Sequence, residues 1–151
     1  MKIRQADAAD LPWVTECAEM AYRVYEERLG LPPAPKFTDY NAQVLAGILH
    51  IIEDNLIPRG FIVLYPHQKR LFIESVAVHP MHQGAGYGKE LFKYAEAMAK
   101  RTGFDSIELY TNEHMRENLK IFVKLGYRET DRVEAGGYKH IYFNKTTSKP
   151  D

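Results

Sequence analysis

One stretch constrains this chain more than any other. An apolar strand pattern from Leu71 to Val78 is ended by His79 and Pro80. A turn follows with three glycines in five residues, Gly84, Gly86 and Gly88, and a helical pattern opens at about Lys89. Glycine lets the backbone adopt left-handed angles and come close to a ligand, and the first amides of a helix have no intrahelical acceptor. A strand, a glycine turn and a helix start together make an anion site. A plain tight turn needs only one glycine, so three in five residues point past simple chain reversal.

Counting spacings narrows the anion. A P-loop needs glycine, four residues, then Gly-Lys and Ser or Thr. Gly88-Lys89 could close that motif, but its first position is Gln83 and its last is Glu90. The dinucleotide fingerprint Gly-x-Gly-x-x-Gly starts well at Gly84 and Gly86 and then meets Lys89. What fits is Gln-x-x-Gly-x-Gly at Gln83, Gly86 and Gly88, preceded by Val76-x-Val78-x-Pro80. Further on comes Asn118-Leu-Lys-Ile-Phe-Val-Lys-Leu-Gly126-Tyr127.

Together these two segments resemble motifs A and B of the GNAT superfamily, the acetyl-CoA-dependent N-acetyltransferases. The resemblance is specific over residues 71–89 and 112–128 and follows element order over residues 1–144. It implies one α/β (mixed α+β) domain over 1–144. Such a domain has a mostly antiparallel sheet of six to seven strands and about four helices, splayed in the middle for the cofactor. Lys145 to Asp151 reads as a frayed tail.

The order read along the chain is consistent with that. Lys2–Gln5 is a strand, and residues 9–28 a helix with Leu11, Val14, Ala18, Ala21, Tyr22 and Tyr25 on one face. Gly30–Pro35 is a proline-rich break. Tyr40–Gly47 reads as a helix, His50–Glu53 as a short strand and Asn55–Arg59 as a turn. Strands at Gly60–Tyr65 and Arg70–Val78 flank a turn at Pro66–Lys69. A helix spans about Gly86–Thr102 and stops at Gly103. Ser106–Tyr110 is a strand, and Asn112 caps a helix over 113–125. Tyr127–Val133 and Tyr138–Asn144 make a hairpin about Gly136-Gly137.

The resemblance also implies roles. The pantetheine arm would lie along backbone groups of Val76, Ala77 and Val78. The pyrophosphate would meet amides from Gly84 through Ala85, Gly86, Tyr87 and Gly88 to Lys89, with Gln83 in the motif and Lys89 adding charge. Asn118 would face the cofactor arm; an internal hydrogen bond is its other reading. Glu74 is the candidate base, two residues before Val76 and on its face of the strand; a salt-bridged glutamate is the alternative. The oxyanion donor would be the amide of Val76 or Ala77. The family's usual acid, a tyrosine four residues before the motif B glycine, is Phe122 here. Tyr138 is the candidate replacement, with Tyr110 and Tyr142 also in the region. His79 and His82 flank the turn, but no further ligand has convincing metal spacing, so no metal is expected.

Composition bounds the rest. Residues 5–54 hold nine acids against three bases, while residues 55–151 hold fifteen bases against eleven acids. The basic part holds the phosphate motif. The acidic part is where the superfamily shapes its acceptor pocket, which favours a small cationic amine; a solvated acidic face is the alternative. No basic stripe suggests nucleic acid, and no apolar run approaches a membrane span. The N-terminal run lacks an apolar signal core, and Cys17 is the single cysteine, so a cytoplasmic location is expected. A homodimer is an expectation by analogy only. The reading is an acyltransferase with acetyl-CoA as cosubstrate. The alternative is a coenzyme A-binding sensor with little turnover, which Phe122 favours; a triphosphate binder is weakened by Gln83 and Glu90.

Overall fold

The computed structural model describes residues 1–29 and 38–147. The expected break at Gly30–Pro35, the end of the tail from 148 onward, and the side chains of Tyr25 and Tyr138 lie outside the described residues. The elements are β1 (Lys2–Gln5), α1 (Leu11–Leu29), α2 (Tyr40–Leu45), β2 (Leu49–Asp54), β3 (Ile57–His67) and β4 (Arg70–Val78). They continue with α3 (Tyr87–Thr102), β5 (Ser106–Asn112), α4 (Arg116–Lys124), β6 (Arg128–Ala135) and β7 (Tyr138–Thr146). Short 3-10 turns lie at Ala8–Asp10 and Pro80–His82.

Seven strands form one sheet in the order β1-β2-β3-β4-β5-β7-β6. β1–β2, β2–β3, β5–β7 and β6–β7 pair antiparallel, and β4 and β5 run parallel. That ladder ends at Ile73↔Leu109, although β4 continues to Val78 and β5 to Asn112. This is the mixed α/β, mostly antiparallel sheet with four helices that the sequence implies.

Packing divides the chain into two compact units. The first comprises Met1–Leu64 and Ser75–Tyr94. Val14 and Cys17 of α1 are fully buried there against Leu49, Ile51, Phe61 and Val63. The helix is introduced by Asp7, whose carboxylate accepts from Ala9 N while Asp10 reaches back to Asp7 N. Arg4 forks onto Asp10 at 2.8 and 2.9 Å and onto Glu53 at 3.1 Å, fastening β1 to the helix entry and to β2. The second unit comprises Tyr65–Glu74 and Ala95–Asp151. Its core is built from Leu71, Ile73, Ile107, Leu109, Ile141 and Phe143, with Ala95 and Ala99 from α3. Phe122 of α4 closes it, its ring 5.4 Å from Phe143 and 6.2 Å from Tyr127.

Several boundaries differ from expectation. Residues 55–59 are not all turn: only Asn55 and Leu56 turn, both with positive φ, and β3 starts at Ile57. Asn112 does not cap α4. It ends β5, its Oδ1 accepts from His114 N at 2.9 Å, and α4 begins at Arg116 after Met115. Lys145 and Thr146 are strand, not tail. Lys145 pairs with Glu96 and donates to Leu125 O at 2.7 Å, and Thr147 Oγ1 donates to Phe104 O at 2.6 Å. These long-range contacts hold the segment in place.

Candidate active site

In the first unit, β4 leads directly into the glycine turn. His79 N donates to Arg59 O at 2.9 Å, continuing the strand contact for one residue. Across from β4, Gly60 lies so close that a Cβ there would stand 2.5 Å from Ala77 O and 3.2 Å from Val78 Cα. Only glycine lets β3 approach β4 that tightly. His79 Nδ1 accepts from Met81 N at 3.2 Å and caps the short 3-10 turn. Gln83 Nε2 reaches back to Val78 O at 3.3 Å, so its amide shapes the turn by tying it to the strand end.

Gly84 and Gly86 have φ of +85° and +88°, the left-handed region that side chains rarely adopt. The first intrahelical bond of α3 runs from Glu90 N to Gly86 O at 3.1 Å. The amides of Tyr87, Gly88 and Lys89 therefore precede the helical ladder and have no acceptor within it. Behind the turn, Arg59 Nη1 donates to His82 Nδ1 at 3.0 Å and Nη2 to Asp54 O at 3.1 Å. Its guanidinium carbon lies 5.8 Å from the centre of the Tyr87 ring. Tyr87 Oη donates to Asp54 Oδ2 at 2.9 Å, and that bond raises the pKa of the phenol. Burial first, and then the charge of Arg59, lowers the pKa of His82. Lys89 is exposed on the first turn of α3, while Lys93 pairs with Glu90 at 3.5 Å.

In the second unit, Glu74 follows the last β4–β5 pair, and Tyr110 follows it on β5. Glu74 is an exposed carboxylate in the middle of a strand that has a neighbour on each side. Tyr65 Oη approaches Glu74 Oε1 at 3.4 Å, a long contact. Phe72, two residues before Glu74, packs 5.9 Å from Tyr110 with ring planes 26° apart. Tyr110 in turn stacks on His140 at 4.9 Å and 16° and lies 5.2 Å from Tyr142. Burial first, and then the charge of Glu74, raises the pKa of Tyr65. Burial, followed by Tyr142 and Glu74, does the same for Tyr110. Both phenols therefore keep their protons at neutral pH. Tyr110 is still 38% exposed.

The sequence profile of the Acetyltransferase (GNAT) family matches residues 8–127. The chain belongs to that family. Among solved structures, the fold is similar to PaiA N-acetyltransferase from Thermoplasma acidophilum, a complex with coenzyme A. That match is 16% identical, covers 93% of this chain and 96% of that one, and has a TM-score of 0.79. An N-acetyltransferase from Staphylococcus aureus is 14% identical over 97% of this chain and 98% of that one, with a TM-score of 0.76. A ribosomal-protein-alanine N-acetyltransferase from Brucella melitensis is 16% identical over 97% and 99%, with a TM-score of 0.73. No curated protein matches the chain by sequence.

GNAT enzymes are acyltransferases that use acetyl-CoA as cosubstrate. The glycine turn fits the diphosphate of that molecule. A Cβ added at Gly84 or Gly86 would meet no protein atom within 4 Å, so neither glycine is there to make room for protein packing. At Gly88 a Cβ would only touch Val78 Cγ2 at 3.7 Å, an ordinary contact, and φ there is not positive. Neither strain nor crowding in the protein requires glycine at 88.

One GNAT position departs from the motif. Phe122 is buried in the core and has no proton to give. Asn118 Nδ2 donates to the buried Thr111 Oγ1 at 3.4 Å, the internal hydrogen bond that was its other reading. The side chain of Tyr138 lies outside the described residues, whereas Tyr110 is placed beside Glu74 in the second unit. Among the described residues no group of three or more metal-ligating side chains converges, and no helix is long and apolar enough to cross a membrane. Sequence reading gave no role to Arg59, Gly60 or Tyr65. Nothing local marks Arg59, since its partners lie five, twenty-three and twenty-eight positions away.

Proposed function

We propose that this chain transfers the acetyl group of acetyl-CoA to the nitrogen of a primary amine, with a small cationic amine as acceptor. The observation that carries this reading is the glycine turn, whose open glycines and unladdered amides lie at the end of β4. Bound acetyl-CoA supplies an activated thioester carbonyl. The amides from Gly84 to Lys89 hold its diphosphate. The end of β4, just before the turn, offers the backbone groups of Val76, Ala77 and Val78 to an extended arm. An amide of Val76 or Ala77 faces the developing oxyanion.

Glu74 takes the proton that an ammonium must lose before its nitrogen can attack. The carboxylate and the phenol oxygens around it accept hydrogen bonds from a cationic amine. As the new C–N bond forms and the C–S bond breaks, the Tyr110 hydroxyl donates its proton to the departing sulfur and regains one from solvent. Tyr110 replaces Tyr138 in our assignment because it neighbours Glu74 and keeps its proton at neutral pH. The net change is one acetamide, one thiol and one proton released.

Release of free thiol from acetyl-CoA over a panel of small amines and alanine-initiated peptides tests the proposal. Turnover on small cationic amines is expected. Turnover confined to peptides would overturn the acceptor assignment. Coenzyme A binding without thiol release on any amine would favour the sensor reading.

A further inference from the structure

We propose that Arg59 is a positioning residue that holds both ends of the phosphate turn and so sets its shape before the cofactor arrives. The proposal rests on the reading of Gly84–Lys89 as the diphosphate site. Four residues, 83 to 86, separate the short 3-10 turn from α3, and Gly84 and Gly86 have no packing neighbour in reach of a Cβ. Such a segment has little of its own to fix it, because glycine has the most backbone freedom to lose. Apart from the Gln83 amide tied back to Val78 O at 3.3 Å, its order comes from its ends.

Arg59 touches both. Nη1 donates to His82, the last residue before the segment, and the guanidinium lies over the ring of Tyr87, the first residue after it. Nη2 is anchored on Asp54 O, and the carboxylate of Asp54 holds the Tyr87 hydroxyl. The backbone carbonyl of Arg59 also receives His79 N. The β2–β3 hairpin thus forms a bracket behind the turn. Only a planar fork with several donors can serve two hydrogen bonds and a ring face together. Nε of Arg59 is buried without a hydrogen-bond partner, so this orientation is kept although one donor goes unmatched.

The test uses the full chain as Arg59→Gln, Arg59→Lys and His82→Phe, with hydrogen exchange of amides 83–88 read without ligand and coenzyme A affinity read by calorimetry. All three variants should exchange faster over 83–88. They should bind coenzyme A about tenfold more weakly and raise KM for acetyl-CoA, while kcat at saturation stays within about twofold. Restored affinity in Arg59→Lys would overturn the proposal, since charge alone would then suffice. Unchanged exchange, or faster exchange with unchanged affinity, would also overturn it. If Arg59→Gln does not fold, His82→Phe decides alone, because it removes one end of the bracket and leaves Arg59 in place. Wild-type protein that fails to bind coenzyme A would sink the phosphate reading. The ligand-free exchange data would still judge the bracket.

Discussion

Replacing Gly88 with alanine separates two demands on one position. Inside the protein the change is favourable. Gly88 is the second residue of α3, its φ is not positive, and the new methyl would lie 3.7 Å from Val78 Cγ2. Alanine in place of helical glycine is worth roughly 0.5–1 kcal/mol, less at a helix start. For a chain of this size that raises Tm by about 1–4 °C. On the proposed diphosphate reading the same methyl is unfavourable toward the cofactor, because it crowds the approach of phosphate oxygens to the amides. Loss of one hydrogen bond to a charged group costs roughly 1.5–3 kcal/mol, or about a 10- to 150-fold rise in Kd. The assay is thermal unfolding alongside calorimetric titration with coenzyme A, with Gly88→Val as a larger step. A variant at least as stable as the parent that binds coenzyme A with unchanged Kd would refute the reasoning. Gly86→Val is a poorer test, because φ of +88° makes any side chain there strained with or without ligand.

Other outcomes follow from the same geometry. Glu74→Gln should lower kcat by roughly 10²–10⁴-fold with coenzyme A affinity nearly intact, and an unaltered pH–rate profile would remove Glu74 from the base role. Tyr110→Phe should lower kcat by about 10²-fold and raise the pH at which the thiol of bound coenzyme A ionises, read by thiolate absorbance; neither change would be seen if another group serves the sulfur. Gly60→Ala forces a methyl against Ala77 O and should destabilise the fold by roughly 1–3 kcal/mol in denaturant titration; a stable variant would show that β3 can move away. His50 is 7% exposed with its ring 5.4 Å from that of Tyr94 and tilted to it by 51°, and burial lowers its pKa from 6.5. The unfolded chain therefore takes up a proton near 6.5 that the folded chain resists, so stability is lost as pH falls below 6.5. His50→Phe should flatten that slope without abolishing it, because His82 is shifted the same way.

What was legible in the sequence was what local chemistry dictates. The phosphate turn announces itself because left-handed backbone and a helix start both leave marks on neighbouring residues. Strand and helix identities followed for the same reason. Boundaries failed where a distant partner overrides local preference. Asn55-Leu56 makes a two-residue hairpin turn with both φ positive, a conformation that leucine does not advertise. Lys145 looked like tail until Glu96 and Leu125 O were brought to it. Asn112 has the chemistry of a helix cap but spends it on a turn at the end of β5. That Tyr110 follows the last β4–β5 pair beside Glu74 is a matter of register and not of composition. Arg59 was invisible because a bracket is defined by what it joins.

An amide NMR titration with coenzyme A speaks most directly to the diphosphate site. The largest shifts should fall on Gly84, Ala85, Gly86, Tyr87, Gly88 and Lys89. Saturable binding that leaves those six amides unmoved while others respond would contradict it.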